Sequence, residues 1–380
     1  MIYSTVSDFR SGAMRRLPRF LFDYVDGAAN SEDTARRNVD DLAAIALRQR
    51  VLRDVSAIDT TTELFGQKLP MPVALGPIGL AGMLARRGEV QAARAAEEAG
   101  VPFCLSTVSI CALAEVKCAV TKPFWFQLYM IRDRGHLRDL LAEARSSGCN
   151  ALIFTVDMPV PGARHRDLRS GLSGSPGPLG ALRRAAQAAL HPGWALDVGL
   201  LGHPHSLGNV AAVLKGSTGL SDFLAWLNAN FDPAVTWRDL DFIREHWSGP
   251  LILKGILDAE DAKAAASLGA DGIVVSNHGG RQLDGALSTT RALPGIVEAV
   301  GGQLTVLADG GVRSGTDVLR LLALGAHGVL LGRAWAYALA AQGRAGVARL
   351  LELIGADLRR SMALTGVTRI ADIGPHIQER

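Results

Sequence analysis

Residues Leu251–Gly285 read LILKGILDAEDAKAAASLGADGIVVSNHGGRQLDG, and the spacing within this stretch decides the fold. Two short apolar runs, Leu251–Leu253 and Gly272–Val275, have the composition of buried β-strands. Each is followed at once by polar groups: Lys254 after the first, Asn277 and His278 after the second. Between the runs, Asp258–Leu268 carries helical spacing, and Gly269 stands where a helix C-terminus favours glycine. The unit is strand–helix–strand, with an ammonium, an imidazole and the Arg281 guanidinium gathered at the C-terminal ends of its strands. Parallel α/β folds keep their chemistry at that end. A lone Lys or His at a strand end is more often a solvated or structural group. Joint placement beside Gly279 and Gly280, which let backbone approach a ligand closely, points instead to a site.

Working outward, the same alternation of apolar strand and helical segment runs from Met71 onward. Strands are predicted near 72–76, 103–106, 124–128, 151–156, 251–254, 272–276, 304–308 and 328–331, which argues for a (β/α)8 TIM barrel over 71–340. A doubly wound open sheet would carry a GxGxxG turn after its first strand, and none is present. An N-terminal helical cap is expected over 1–70, with Pro18 starting a helix, Gly27 ending it and Ser31 as N-cap of the Arg36–Leu42 segment. C-terminal helices are expected over 341–380, so the whole of 1–380 forms one domain.

One gap breaks the rhythm. After strand four the chain makes a long excursion, about 168–231, rich in Gly, Pro and scattered Leu, and structureless runs of this length are functional or mobile. Within it Leu179, Leu182, Ala186 and Ala189 share a face, Arg183 and Arg184 are basic, and Trp194, Leu196, Leu200 and Leu201 follow. That composition suits a segment lying on an anionic membrane surface. The plainer alternative is an excursion packed on the barrel or on a second subunit.

Composition narrows the function. A net charge of +3, with basic residues scattered along the chain, does not describe a nucleic-acid binder. Cys104, Cys111, Cys118 and Cys149 form no CxxC pair and no metal-ligand spacing with nearby histidines. They read as small buried hydrophobes in a reducing compartment, and no metal is expected. The N-terminus lacks the apolar core of a signal peptide, and no run of about 18 apolar residues exists to span a bilayer.

The segment SNHGGRQLD (Ser276–Asp284) resembles the signature of the FMN-dependent α-hydroxy acid dehydrogenases, and the likeness covers essentially the whole chain. It is most similar to the quinone-linked, lactate-oxidising branch. The resemblance implies oxidation of L-lactate to pyruvate, with electrons passed to a membrane quinone or another respiratory acceptor. It also implies a homotetramer held peripherally on the cytoplasmic face of a bacterial inner membrane.

Removing two electrons and a proton from the carbinol carbon of a 2-hydroxy acid requires a base, a carboxylate anchor and an electron sink. His278 is the natural base, since imidazole exchanges its proton near neutral pH. Arg281 and Arg164 offer the planar two-donor fork that matches a carboxylate. Asp157, ending FTVD, would hold the imidazole and stabilise its charged form. The sink must be a cofactor, and without a dinucleotide fingerprint FMN is favoured over a nicotinamide. Its phosphate suits LADGGVRSG (Asp309, Gly310, Gly311, Arg313) and LLGRA (Gly332, Arg333), at strands seven and eight where barrels bind phosphate. Lys254 fits as the cation beside the flavin edge where negative charge accumulates on reduction.

The resemblance further implies Ser106, Gln127 and Thr155 on FMN, the Pro77–Ile78–Gly79 turn facing the flavin, and Tyr24 and Tyr129 on substrate. Gly79, rather than a bulkier residue, is similar to members that shun oxygen. Two departures lie beside the carboxylate anchor: Gly27-Ala28 stands where the family has Gly-Gly, and Asn30 where near relatives often carry an aromatic. They leave open a mandelate or longer-chain 2-hydroxy acid substrate, or an oxidase. Outside the family, two alternatives remain: a flavin-free aldolase-like barrel with Lys254 as Schiff-base lysine, and a non-enzymatic membrane scaffold that leaves the His278, Arg281 and Asp157 grouping unexplained.

Overall fold

A computed structural model of the chain describes residues 2–173, 177–213, 227 and 229–378. Three helices come first, α1 (Val6–Arg16), α2 (Arg19–Asp26) and α3 (Asp33–Ala43), followed by an antiparallel hairpin, β1 (Thr62–Leu64) and β2 (Gln67–Leu69). The barrel strands are β3 (Val73–Leu75), β4 (Cys104–Ser106), β5 (Phe124–Leu128), β6 (Cys149–Thr155), β7 (Leu251–Ile256), β8 (Gly272–Val275), β9 (Thr305–Ala308) and β10 (Gly328–Leu331). They pair in parallel in chain order, with β10 returning to β3 and a parallel bridge between Leu75 and Phe103 closing the ring. This is the expected (β/α)8 barrel. Each predicted strand is found within about three residues of its expected bounds.

Because side chains alternate along a strand, every second residue points into the barrel. Ala74, Cys104, Trp125, Ala151, Ile153, Ile252, Val274, Leu307 and Leu330 form one buried apolar cluster. Leu64 and Leu69 of the hairpin join it from below, and Phe65 meets the Trp125 ring edge-on at 5.9 Å. This hairpin corrects the expectation of a wholly helical cap over 1–70. Two residues further along each strand the same inward register gives Gly76, Ser106, Gln127, Thr155, Lys254, Ser276, Asp309 and Gly332. An apolar plug therefore floors a ring made only of polar residues and glycines.

Ser31 does not cap α3. Glu32 holds the N-cap position at φ +65° without a side-chain bond, and the Ser31 and Thr34 N–H groups donate to Asp284 Oδ2 and Oδ1 at 3.0 and 2.9 Å. Burial would raise the Asp284 carboxyl slightly, but the Thr34, Asp33 and Ser31 amides hold it below the usual carboxylate range. The last residue of the signature thus docks the cap onto the barrel mouth. At the other end, the helix after β10 runs Arg333–Thr365 with a break at Gln342–Gly343, so the C-terminal helical region continues the eighth barrel helix.

Parts of the expected excursion, 174–176, 214–226 and 228, lie outside the described residues. The described part holds a helix over His165–Ser170, another over Gly177–Ala189 and a single turn over Pro192–Trp194. Leu179, Leu182, Leu190, Leu196, Leu200 and Leu201 are exposed, Leu179 to 79%. Trp194, expected with them at the surface, is instead buried: its indole N–H donates to Met83 O at 2.8 Å and its ring meets Phe20 edge-on. Trp194 and Val198 are a wedge of core, and the leucines around them are left outside. The cysteines are free; Cys104, Cys111 and Cys149 are buried, but Cys118 is exposed on its helix rather than buried as expected.

Candidate active site

The strand ends converge on one pocket at the barrel mouth. It is lined by Tyr24, Pro77, Ile78, Gly79, Ser106, Tyr129, Thr155, Arg164, Lys254, His278 and Arg281, and on its far side by Asp309, Gly310, Gly311, Arg313, Gly332 and Arg333. Gln127 and Asp157 stand behind this wall, each bonded to a lining residue. All of the sequence-predicted site residues are thereby brought together.

His278 occupies the turn after β8 at φ +58°, a left-handed conformation that His tolerates better than most residues. Its Nδ1 lies 2.9 Å from Asp157 Oδ1, and its Nε2, turned to the pocket, lies 3.5 Å from the Tyr129 hydroxyl. The carboxylate fixes the ring so that Nε2 is the basic atom. Burial would raise the Asp157 carboxyl, but its contact with His278 and the Lys254 charge outweigh it and hold the group below the usual carboxylate range. Burial and the neighbouring Asp157 push the Tyr129 phenol well up, so it stays protonated.

Tyr24, on α2, has two guanidinium groups at its ring, Arg281 at 4.9 Å and Arg164 at 5.6 Å from the ring centre. Arg281 Nη1 donates to Tyr24 O and Gly27 O, at 2.6 and 2.9 Å, which locks the orientation of the fork. Burial, together with the Arg164 charge, brings the Arg281 guanidinium down to about 10. Two cations held this close in an enclosed pocket favour an anionic guest. Asp167, buried and 3.3 Å from Arg164 Nε, offsets part of this charge. Asn30, one of the departures, has φ +44° and donates its N–H to Ala163 O, a conformation suited to Asn.

Lys254 Nζ meets Asp309 Oδ2 and Ser276 Oγ, each at 2.8 Å. Burial would lower its pKa, but Asp309 and Asp157 raise it, so the ammonium stays charged. Ion-paired with Asp309, Lys254 is placed as a fixed cation and not as the free amine that the Schiff-base alternative needs.

Three buried polar atoms of the ring, Gln127 Nε2, Thr155 Oγ1 and Asp309 Oδ1, have no hydrogen-bond partner among the described residues. Unpaired groups of this kind are costly unless a bound molecule satisfies them. Beside them Gly310 and Gly311 adopt positive φ, and a Cβ at Gly311 would lie 2.1 Å from Asn38 O. The Gly332–Arg333 helix N-terminus and the enclosed Arg313, lowered by burial, complete an anion cradle. These features fit a flavin with a phosphate tail. Arg333 itself bonds Val25 O, Gly279 O and Gly27 O, so its guanidinium also ties the substrate loop to the phosphate end.

Residues outside the sequence-predicted set share the work. Ser276 orients both Lys254 and the His278 N–H, and Gln282 holds the Asp157 and Val160 carbonyls with its amide. Asn277 exchanges amide bonds with Asn38 of α3 at 2.8 Å. The inward register of β8 was the available signal for Ser276. The remaining partners are too distant in sequence to be paired by spacing.

A base backed by a carboxylate, a forked carboxylate anchor and a charged, half-satisfied ring define an oxidoreductase that works through a bound planar cofactor. Comparison with known proteins agrees. The profile of the FMN-dependent dehydrogenases matches residues 13–380. An L-lactate dehydrogenase of a Caulobacter species is 66% identical over 98% of this chain and 97% of its own. One from Stenotrophomonas maltophilia is 61% identical over 98% of each. Among solved structures, the monotopic membrane protein (S)-mandelate dehydrogenase superposes with TM-score 0.93 at 35% identity over 100% of both chains. A mandelate oxidase gives 0.82 at 38% identity over 97% and 96%. The chain belongs to the FMN-dependent dehydrogenase family.

Proposed function

We propose that this enzyme oxidises L-lactate to pyruvate. The observation that carries the reading is the pair of guanidinium groups, Arg281 and Arg164, gathered at the Tyr24 ring before a carboxylate-backed histidine. The two guanidinium groups bind the substrate carboxylate, Tyr24 and Tyr129 orient it, and His278 Nε2 takes a proton as the carbinol is oxidised. Asp157 holds Nδ1–H and stabilises the imidazolium that results. Bound FMN supplies the two-electron acceptor. Ser106, Gln127 and Thr155 would hold its ring system, and Gly310, Gly311, Arg313, Gly332 and Arg333 its phosphate; Asp309, expected with the phosphate residues, is instead ion-paired with Lys254 and would stand beside the ring system. Lys254 would supply a fixed positive charge to offset the negative charge that a flavin gains on reduction.

Lactate is preferred to mandelate because the relatives named L-lactate dehydrogenase are far more similar in sequence than the mandelate-active structures. The test is the visible spectrum under nitrogen. L-Lactate is expected to bleach the flavin bands completely and (S)-mandelate to do so poorly; the reverse order would move the assignment to an aromatic hydroxy acid.

The reading extends to a homotetramer seated on the cytoplasmic face of the inner membrane, delivering electrons to quinone. For the membrane seat, the support is the exposed leucines of the Gly177–Ala189 helix and of the turns after it, near Arg183 and Arg184. No helix among the described residues is long and apolar enough to cross a bilayer. Shallow burial of each leucine contributes about 1 kcal/mol. Replacing Leu179, Leu182, Leu196 and Leu200 by Gln is therefore expected to weaken co-sedimentation with anionic vesicles by roughly 10²–10³-fold, while lactate still bleaches the flavin. Point changes are preferable to excising the segment, because Trp194 and Val198 belong to the core. If the quadruple variant pellets like its parent, the face serves packing or assembly instead.

A further inference from the structure

We propose that Gly255 is a positioning residue for the catalytic dyad: the absence of a side chain there is what lets Asp157 reach His278. The register between β7 and β8 skips a residue between Lys254 and Ile256, and the skipped residue is Gly255. The bulge bends the strand immediately after the buried Lys254, at φ +108°, where an L side chain is strained. A Cβ built on Gly255 would lie 2.4 Å from Asp157 Cβ, 2.5 Å from its Cγ and 2.9 Å from its Oδ2. No other atom lies among its three nearest neighbours. The bulge and the carboxylate therefore occupy one another's space, and only glycine satisfies both.

Two further contacts make Asp157 sensitive to this fit. The Val156 N–H donates to Lys254 O at 2.9 Å, and Gln282 holds Asp157 O at 2.9 Å, so the main chain on either side of the carboxylate is tied down. Asp157 and Gly255 also line a second cavity of about 480 Å³ outside the barrel, bordered by Trp237 and Ile256. A methyl group at 255 drives the carboxylate away from His278 Nδ1 and into that space. The carboxylate anchor, Arg281 with Arg164 and Tyr24, contributes none of the atoms that this Cβ would meet most closely.

The inference rests on the reading of His278 as the base. In purified holoenzyme, Gly255→Ala is expected to lower kcat at least 10-fold while KM for L-lactate stays within about 3-fold and the FMN content is unchanged. In an Asp157→Asn background, where the carboxylate no longer acts, the same change is expected to cost less than about 3-fold, since residues acting through one group are not additive. Independent, multiplying losses, a parental kcat, or a loss confined to KM would each overturn the proposal. Should Gly255→Ala alone fail to fold, adding Asp157→Gly removes the colliding atoms and is expected to restore soluble, yellow protein; failure of that rescue also overturns it. A parent whose turnover survives His278→Gln would remove the underlying reading instead, which the Gly255 series does not measure.

Discussion

Replacing His278 by Gln leaves the flavin bound and the substrate carboxylate anchored, and lowers turnover by about 10²–10⁴-fold. The argument is geometric. His278 Nε2 is presented to the pocket beside Tyr129, and its ring is fixed by Asp157 at 2.9 Å. Burial holds Tyr129 as a phenol, and Asp309 and Asp157 hold Lys254 as an ammonium, so neither neighbour takes over as base. A glutamine amide keeps a polar contact with Asp157 but accepts no proton at working pH. The anchor and the phosphate cradle lie on other strands and loops, so oxalate affinity and FMN content are expected to match the parent. Stopped-flow reduction of the flavin by L-lactate is the measurement. A near-parental rate would place the base elsewhere.

The barrel and most of its mouth are legible in the sequence because they follow local rules. Strand periodicity fixes which residues face inward, and from Ile252 and Val274 it leads directly to Lys254 and Ser276 one layer up. The catalytic groups lie at strand ends, where a parallel barrel must expose them. What the sequence hides depends on distant partners. Ser31 has the composition of a cap, but α3 is capped by Asp284, which folds back from the other side of the barrel mouth. Trp194 and Leu196 look equally suited to a lipid surface, yet only the indole finds a core pocket and a carbonyl, at Met83. The Thr62–Leu69 hairpin carries no long apolar run, since only Leu64, Phe65 and Leu69 plug the barrel floor. Arg333 has the position of a phosphate ligand, and its reach to Val25 O and Gly27 O depends on where α2 ends. The chemistry of a strand end is thus readable residue by residue, while long side chains and caps are resolved only by packing.

Arg281→Lys keeps a positive charge and is expected to raise KM for L-lactate and the dissociation constant of oxalate by about 10–100-fold, which corresponds to about 1.4–2.8 kcal/mol. Arg281 performs two tasks at once. One nitrogen serves the backbone, donating to Tyr24 O and Gly27 O, and so holds the end of α2 and the Tyr24 ring in place. The rest of the planar group faces the pocket beside Arg164, where a carboxylate is gripped by parallel donors. A lysine ammonium is a single point and cannot reach the two carbonyls and the substrate together. Whichever it serves, the other is left without a donor. The loss is expected chiefly in KM, with kcat falling less, because Asp157 and His278 keep their contact and FMN stays bound on the far strands. If the lysine variant binds oxalate as tightly as the parent, Arg164 alone anchors the carboxylate, and the guanidinium at 281 is only a brace for α2.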